Sequence, residues 1–355
     1  MKRYRVALFG YGQMGPRHAQ FIAGHPRYEL AWICDLSPDR MRAARAAHPG
    51  ARVTGNMEEV FADKTVDMAG IFTKSDVRPM LIRRALACGW HISAEKPLAG
   101  TEEEEWRLLE EIERTGRIFT VNLFNRNAWY HNDARGFVRR GEIGKLAVIR
   151  VCHMFPGGIP VAGRVNPDGP PFRECGMHYA DIVRYHGGSE YAEWTARGVR
   201  MWGEDPNAPH WVTVHGRLKN DVTFEITNSF AYACASKLRR NCSYTDLLGT
   251  HGVVHVQFDA WGSVNYQAFG IHETVEVTKP YQDKNYPVLY RRMAEAMDTG
   301  NHGDLATARD SVIAASVAGR MNRSAVDAGP AVIGTPDDLE DVRRLRAARD
   351  AAYGH

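Results

Sequence analysis

The feature that most constrains this chain is a glycine-rich turn that directly follows its first apolar run. Arg5 to Gly10 (RVALFG) has the character of a short strand buried on both faces. It leads into GYGQMG at residues 10–15, a GxGxxG pattern, and a helical pattern follows. In such a pattern the first glycine allows a tight turn, the second lets an anion approach the backbone, and the third lets helix and strand pack closely. The arrangement predicts a dinucleotide site, with the phosphates at a helix N-terminus.

The N-terminal third continues to alternate short apolar runs with helical patterns. Helix starts are marked by Ser37-Pro38 and by Thr101 with Glu104 three residues later, which is a capping box. Strands that alternate with helices predict a parallel, doubly wound sheet of the Rossmann type. The later runs predicted to form its strands are Leu30–Asp35, Val66–Thr73, Trp90–Glu95 and Ile118–Leu123.

The second predicted strand ends in Asp35, an acid 20 residues after the last glycine of the turn. A carboxylate at this place accepts hydrogen bonds from the adenosine ribose and repels a 2′-phosphate, so NAD is expected as the cofactor rather than NADP. Arg40, five residues further on, has the charge to soften that preference. The alternative interpretation is a glycine turn in some other α/β protein, with Asp35 an ordinary acid before a helix.

A different pattern begins in the second part of the chain. Across residues 211–278 apolar residues recur with period 2, as in WVTVHGRL and VTFEITNSF, which predicts an antiparallel sheet. We therefore expect two domains, at 1–124 and 125–355, and helix 337–352 has the option of packing back on the first domain. The stretch Phe155–Gly176, with five prolines and five glycines, is either a functional lid or disordered.

Composition and charge exclude several classes of protein. The net charge of +3, from 45 basic and 42 acidic residues, leaves no electrostatic footprint for a nucleic acid. No apolar run approaches the roughly 18 residues of a membrane span, and the apolar stretch after the basic Met1–Arg5 ends at Gly10. We therefore expect neither a membrane span nor a secretory leader. Six scattered cysteines without a CxxC pair favour a reduced, cytoplasmic protein.

Two groups of residues have the chemistry of a reaction site. Glu95-Lys96-Pro97 follows the fourth predicted strand, at the sheet edge where such folds bind ligands, and an ammonium there can stabilise a developing alkoxide. The alternative is a surface lysine before a turn proline. Glu174, His178 and Asp181 have helical spacing, and a histidine flanked by carboxylates can take a proton near neutral pH. The alternatives are a capped helix with a buried histidine, or a metal site; because no other histidine completes a site at helical spacing, no metal is expected.

These motifs together resemble the Gfo/Idh/MocA (glucose–fructose oxidoreductase / inositol dehydrogenase) family, and the likeness covers nearly the whole chain. The resemblance implies an α/β protein: an N-terminal Rossmann domain, and a C-terminal α/β domain with a large open, mostly antiparallel sheet that binds the substrate. That sheet commonly forms the subunit interface, which implies a homodimer or homotetramer. Members mostly oxidise or reduce sugars, cyclitols and their derivatives with NAD(H) or NADP(H).

Carried over by motif, the resemblance makes Lys96 the catalytic lysine and His178 the general acid/base. Glu174 stands where the family usually has the shorter aspartate, and Asp181 matches a family acid. In a second departure, Arg78 stands in place of a common histidine, and Lys74 adds a charge near the cofactor. The predicted cofactor contacts are Gly10, Gly12, Gln13, Met14, Gly15, Asp35, Arg40, Thr73, Lys74, Glu95 and Lys96.

The expected substrate is a small carbohydrate or cyclitol. Aromatic faces with amide and guanidinium donors suit a polyhydroxylated ring, whereas Arg164 and Arg173 would also suit the carboxylate of a uronic acid. The predicted substrate contacts are Lys96, Asn122, Arg126, Trp129, Tyr130, His153, Arg164, Arg173, His178 and Tyr179. Three functions stay open: a dehydrogenase or reductase, an NAD-dependent glycoside-cleaving enzyme that oxidises its substrate transiently without net redox, and a non-catalytic NAD-binding regulator.

Overall fold

The computed structural model describes residues 2–155, 168–202, 208–232, 234, 241–259, 262–281 and 284–353. The chain forms two compact units, of which the first holds Met1–Asn127 and Lys284–Ile313 and the second holds Ala128–Asp283 and Ala314–His355.

The secondary structure follows the predicted alternation closely. The elements before residue 128 are β1 (Tyr4–Phe9), α1 (Gly15–Gly24), β2 (Tyr28–Cys34), α2 (Pro38–Ala47), β3 (Arg52–Thr54), α3 (Met57–Ala62), β4 (Met68–Ile71), α4 (Arg78–Ala87), β5 (His91–Ala94), α5 (Glu102–Arg114) and β6 (Phe119–Val121). The next elements are α6 (Trp129–Arg139), β7 (Leu146–Met154), α7 (Pro171–Glu174), α8 (Gly176–Gly187), β8 (Tyr191–Arg200), β9 (Trp211–Leu218), β10 (Thr223–Ser229), β11 (Cys242–Gly249), β12 (Val253–Asp259), β13 (Ser263–Phe269) and β14 (Thr274–Pro280). The last elements are α9 (Tyr286–Thr299), α10 (Ala308–Asp327), β15 (Ala331–Val332) and α11 (Pro336–Tyr353).

The first unit is built on a parallel sheet of six strands in the order β3-β2-β1-β4-β5-β6. The strand order reverses between β1 and β4, which is the switch point where doubly wound folds bind ligands. Side chains of β1 enter a core on each face, with Val6 and Leu8 on one side and Ala7 and Phe9 on the other. Burial on both faces explains the unbroken apolar run, and the predicted Rossmann sheet is confirmed.

The C-terminal helices require a correction to the predicted domain boundaries. The division at residue 124 assigns all of 125–355 to the second domain, but Tyr286, Tyr290 and Met293 of α9 complete a core with β1 and α1 of the first unit. An amphipathic helix shows that it has an apolar face but not which sheet that face covers. The described contacts of α11 lie in the second unit, where Leu339 packs with Trp202 and Cys234. None of the described helices has both the length and the apolar character of a membrane crossing.

The second unit contains a sheet of nine strands in the order β14-β13-β12-β11-β7-β10-β9-β8-β15. Its pairs are antiparallel except β7 with β10 and β8 with β15. Strand β9 shows the two faces of the sheet: Val212 and Val214 are buried, whereas Thr213 and His215 are exposed. The predicted large, mostly antiparallel sheet is confirmed, and one of its faces is open.

Candidate active site

The glycine turn between β1 and α1 is shaped by close backbone packing. Gly10 has a left-handed φ of +90°, and a Cβ placed on it would lie 2.8 Å from the carbonyl oxygen of Phe72. A Cβ on Gly15 would lie 2.1 Å from the carbonyl oxygen of Gly10. At Gly12 the nearest atoms belong to the flexible side chain of Arg40, 3.5 Å away. The first and third glycines are therefore needed for packing, and the second leaves the backbone open.

The start of α1 fits an anionic ligand. Met14 precedes the helix, and its side chain has no oxygen with which to cap the first N–H groups. The helix dipole places partial positive charge at this end. Beside the turn, the buried hydroxyl of Thr73 has no hydrogen-bond partner among the described residues, and Gln13 and Lys74 are exposed. Uncapped donors, a positive helix end and an orphaned hydroxyl suit the phosphates of a dinucleotide.

Asp35 follows β2 and is tied to the glycine turn. Its Oδ2 accepts a hydrogen bond from the N–H of Tyr11 at 2.6 Å, and its Oδ1 accepts one from the N–H of Ser37 at 2.8 Å. These bonds hold the carboxylate beside the second residue of the turn. The Nη1 of Arg40 lies 3.7 Å from Oδ2, and more than half of the Arg40 side chain is exposed. The acid and the base that the sequence places near the adenosine ribose therefore lie together.

Lys96 lies in the turn after β5, and that turn is held from two sides. Arg78, which is 1% exposed, donates hydrogen bonds from its guanidinium to the carbonyl oxygens of Pro97 and Thr73. From the other side, the backbone N–H that follows Pro97 donates to the buried carboxylate of Glu105 at 2.9 Å. The lysine is therefore carried at the carboxyl edge of the parallel sheet by a braced backbone, and Arg78 has a structural role that its place in the sequence did not indicate.

Glu95, directly before the lysine, is buried in a network that the sequence analysis missed. Its Oε1 accepts the side-chain amide of Asn122 at 2.8 Å and lies 3.5 Å from Nε2 of His18. The Nδ1 of His18 lies 2.6 Å from the hydroxyl of Tyr290, and its ring stacks on Phe72 with 3.7 Å between centroids. The expected contacts of Glu95 with the cofactor and of Asn122 with the substrate stay predictions.

Electrostatics keep Glu95 ionised within this network. Burial raises the pKa of its carboxyl, but the hydrogen bond from His18 and the positive charge of Lys284 outweigh burial and hold the pKa well below its usual range. Burial also lowers the pKa of His18, which favours its neutral form. A neutral His18 that donates from Nε2 to Glu95 and accepts from Tyr290 at Nδ1 satisfies both contacts.

The second predicted group of catalytic residues lies at the start of α8. His178 is 5% exposed, and Asp181 is fully buried with its Oδ1 3.8 Å from the guanidinium of Arg184. Arg184 also holds Glu190 through two hydrogen bonds of 2.8 and 2.6 Å. Glu174 ends the preceding helix, α7, and is partly exposed. The histidine and the aspartate therefore share one helix, whereas the glutamate belongs to the chain that enters it.

Tyr179, the neighbour of His178, packs against a polar part of the nine-stranded sheet. Its ring stacks on His153 of β7 with 4.7 Å between centroids, and Nδ1 of His153 lies 2.5 Å from the hydroxyl of Ser243 on β11. Burial lowers the pKa of His153 to about 3 and raises the pKa of Tyr179. Two predicted substrate contacts are therefore brought together, with Ser243 as a further hydroxyl that the sequence analysis missed.

The two aromatic residues at the start of α6 have different surroundings. Trp129 is partly exposed, and the ammonium of Lys279 lies 4.2 Å from the centre of its ring. Tyr130 is 2% exposed and packs against Trp129, His131 and Phe258. Both stay predicted substrate contacts, and the phenol of Tyr130 lies in the packed interior of the second unit.

The predicted arginine contacts are engaged within their own units. Arg126 forms an ion pair with Asp310 through two contacts of 3.0 and 2.9 Å. Arg173 donates to a nearby backbone carbonyl oxygen at 3.0 Å. Arg164, with residues 156–167 of the proline- and glycine-rich stretch, lies outside the described residues. In the described ranges, no three or more His, Cys, Asp or Glu side chains are grouped as metal ligands.

A doubly wound parallel sheet with a phosphate-binding glycine turn at its switch point defines a dinucleotide-binding protein. Residues 4–123 match the oxidoreductase family with an NAD-binding Rossmann fold, and residues 131–266 match the GFO/IDH/MocA C-terminal domain. The chain belongs to the Gfo/Idh/MocA family, as its motifs predicted, and it is an NAD-binding oxidoreductase.

Relatives and solved structures agree with this assignment. Over 302 residues the chain is 25% identical to scyllo-inositol 2-dehydrogenase (NAD(+)) of Bacillus subtilis (strain 168), covering 82% of each protein. Over 200 residues it is 24% identical to the uncharacterized oxidoreductase YrbE of the same organism, covering 56% of this chain and 58% of that relative, or little more than half its length. Its fold is similar to levoglucosan dehydrogenase in complex with NADH and levoglucosan, with a TM-score of 0.76 and 16% identity over 92% of this chain and 98% of the other.

Proposed function

We propose that the chain transfers hydride between NAD and a secondary hydroxyl, or the corresponding ketone, of a cyclitol, a sugar or a sugar derivative. The observation that carries this proposal is Lys96, a lysine on a turn braced by Arg78 and Glu105 at the ligand-binding edge of the NAD-binding unit. Relatives named for inositol and levoglucosan support the same class of substrate. Asp35, held by two N–H groups, supports NAD over NADP because its carboxylate repels a 2′-phosphate.

In this proposal Lys96 and His178 are the two catalytic residues. Lys96 donates a hydrogen bond to the reacting oxygen of the substrate and stabilises the negative charge that develops on it. His178 takes the hydroxyl proton during oxidation and returns it during reduction. NAD supplies the hydride acceptor or donor when it is bound.

We propose supporting roles for the two carboxylates near the histidine. Glu174, four residues before His178, contributes a negative charge at the chain that enters α8. Asp181 is a positioning residue. It pairs with Arg184 on the same helix, and Arg184 in turn holds Glu190, which lies between α8 and β8.

We further propose that three hydrogen-bonding side chains of the second unit, those of His153, Ser243 and Tyr179, bind hydroxyls of the substrate. His153, Ser243 and Tyr179 are held in place by strands β7 and β11 and by ring stacking, so their polar atoms are pre-arranged. The partly exposed ring of Trp129 suits the apolar face of a sugar or cyclitol. Arg173 suits a carboxylate, if the substrate is a uronic acid.

A substrate screen tests the proposal directly. Inositols, aldoses, anhydrosugars, glycosides and uronic acids are each supplied with NAD and with NADP, and the absorbance of the reduced cofactor is followed. Co-purified cofactor is measured first by denaturing the protein. Net NADH with a cyclitol or sugar is the expected result. Glycoside cleavage without net NADH would replace the proposal with transient oxidation, and cofactor binding without any turnover would replace it with a regulatory function.

We also propose that the chain self-associates through the open face of its nine-stranded sheet. Leu248 and Phe269 lie on this face and are 49% and 40% exposed. On the neighbouring strand β7, exposed Arg150 pairs with Glu225 and Asp246, so the face offers both apolar and charged contacts. Light scattering at micromolar concentration is expected to give the mass of a dimer or tetramer, and a monomer would contradict this proposal.

A further inference from the structure

Lys284 is a cation that the sequence analysis did not single out. It lies two residues before the start of α9, within the first unit. Lys284 and Asn285 both have left-handed backbone, with φ of +33° and +48°. Side-chain-bearing residues seldom adopt this conformation, and such positions are concentrated at ligand-binding and active sites. The fold therefore holds Lys284 in a defined place against a local conformational preference.

The ammonium of Lys284 lies beside the glycine turn. Its Nζ is 3.9 Å from Sδ of Met14, the residue that precedes α1, and 5.4 Å from the centre of the Phe124 ring. Phe124 follows β6, at the same carboxyl edge of the sheet at which the glycine turn follows β1. A residue distant in sequence therefore places a positive charge at the helix N-terminus that fits the phosphates.

The charge of Lys284 is only weakly matched by the protein itself. A thioether and an aromatic ring 5.4 Å away are weaker partners for an ammonium than a carboxylate, and in the described part of the chain no carboxylate lies within ion-pair distance of Nζ. At longer range, the charge of Lys284 lowers the pKa of the Glu95 carboxyl. Apart from the N–H directed at the Met14 thioether, the donors of the ammonium are thus available to an anionic ligand at the glycine turn.

We propose that Lys284 is a further cofactor-binding residue whose ammonium pairs with the diphosphate of the dinucleotide. It adds a point charge to the backbone N–H groups of the turn, in the way that lysines bind phosphate groups elsewhere. This inference concerns the cofactor alone and holds for any substrate and for either direction of the reaction.

Cofactor titrations without turnover test the inference. We expect Lys284→Met and Lys284→Gln to weaken NADH binding roughly 10- to 100-fold, the range for one hydrogen bond to a charged group. ADP-ribose, which keeps the diphosphate, should weaken by the same factor, whereas adenosine should bind as before. Lys284→Arg should stay within about threefold of the wild type, because the charge is retained. Arg291→Met is the matched control, since Arg291 lies on α9 in an exposed ion pair with Glu295.

Binding is followed by fluorescence or calorimetry, and thermal unfolding without ligand is measured for each variant. The difference in NADH affinity between the wild type and the two neutral variants should also shrink as the salt concentration is raised, because salt screens the pairing of charges. Unchanged affinity for NADH in both neutral variants would overturn the inference. Equal losses for NADH and adenosine, with a lower unfolding temperature, would overturn it in favour of a structural role. Because no turnover is needed, a negative substrate screen leaves the result intact.

Discussion

At the scale of single residues, Lys96 is the side chain whose loss should separate chemistry from cofactor binding. Methionine keeps the length of the stem but has no ammonium. We expect Lys96→Met to lower kcat/KM about 10²- to 10³-fold, because one donor to the developing oxyanion is lost. The NADH dissociation constant should change little, since the glycine turn and Asp35 are untouched. Lys64→Met, at an exposed position after α3, is the control, and wild-type turnover in Lys96→Met would refute the assigned role.

His178 makes a separate prediction about pH. If its imidazole takes the proton of the substrate hydroxyl, oxidation slows at low pH because a protonated imidazole cannot act as a base. We expect His178→Asn to lower kcat about 10²- to 10⁴-fold and to remove this acid limb from the rate profile. His215→Asn, at an exposed position on β9, should leave the profile as it is. An acid limb that persists in His178→Asn would assign the base to another residue.

The site residues also show what could be predicted from the sequence and what could not. Glu95 and Lys96 could be placed at a strand end because the apolar run of β5 stops before them. The contact between Glu95 and His18 could not be predicted, because the two residues are 77 positions apart in the sequence. The spacing of residues along α1 does not show that His18 faces the end of β5. Ser243 was missed for a similar reason: its neighbour His153 is set by the pairing of β11 with β7, which the sequence does not specify.

At the scale of elements, the glycine turn yields a contrast between two similar substitutions. Gly15→Ala forces a methyl to within 2.1 Å of a carbonyl oxygen, so we expect stability to fall by about 1–3 kcal/mol. Gly12→Ala has room in the protein and should unfold as the wild type does, yet bind NADH about tenfold more weakly, because its methyl stands where the phosphates approach.

Thermal unfolding and NADH titration separate these two effects. Gly24→Ala is the control, because a Cβ there meets no atom within 4 Å. Wild-type affinity in Gly12→Ala would mean that the phosphates do not approach the second glycine.

Elements with a strong apolar pattern were predicted well, and those without one were not. Strands β1, β2, β4, β5 and β6 are buried on both faces, so their apolar runs indicated them to within a few residues. Strand β3 has one exposed and two partly exposed residues and no such run, and β8 (YAEWTARGVR) has small and charged residues on its exposed side. Pairing with a neighbouring strand forms these two elements, and that pairing depends on the tertiary fold.

At the scale of the whole molecule, four of the buried histidines should make the protein sensitive to acid. Burial lowers the pKa of His18, His131, His153 and His186, to about 3 for the last two. The unfolded chain protonates these imidazoles near their ordinary pKa of about 6.5, whereas the folded chain keeps them neutral. Their contribution to stability is therefore complete above that pH and is lost as the pH falls below it, because the unfolded state binds more protons.

We expect the urea midpoint to be lower at pH 5.5 than at pH 7.5. At pH 5.5, about one unit below the ordinary pKa of histidine, each of these imidazoles should lower the free energy of unfolding by on the order of 1 kcal/mol. His186→Gln should reduce the number of protons taken up on unfolding by about one, so its free energy of unfolding should depend less steeply on pH. The exposed control His215→Gln should leave the slope unchanged. Equal midpoints at the two pH values would show that the buried imidazoles are protonated in the folded state.

The return of residues 284–313 to the first unit has a consequence for how the protein is made. Tyr286 and Tyr290 of α9 complete a core with residues of β1, α1 and β2, all of which lie before residue 127. The strands of the parallel sheet are translated early, but α9 is translated only after eight of the nine strands of the second sheet. During synthesis the apolar surface that α9 covers therefore stays exposed to solvent until α9 is made. A fragment that ends near residue 127 would lack α9 and leave this surface exposed.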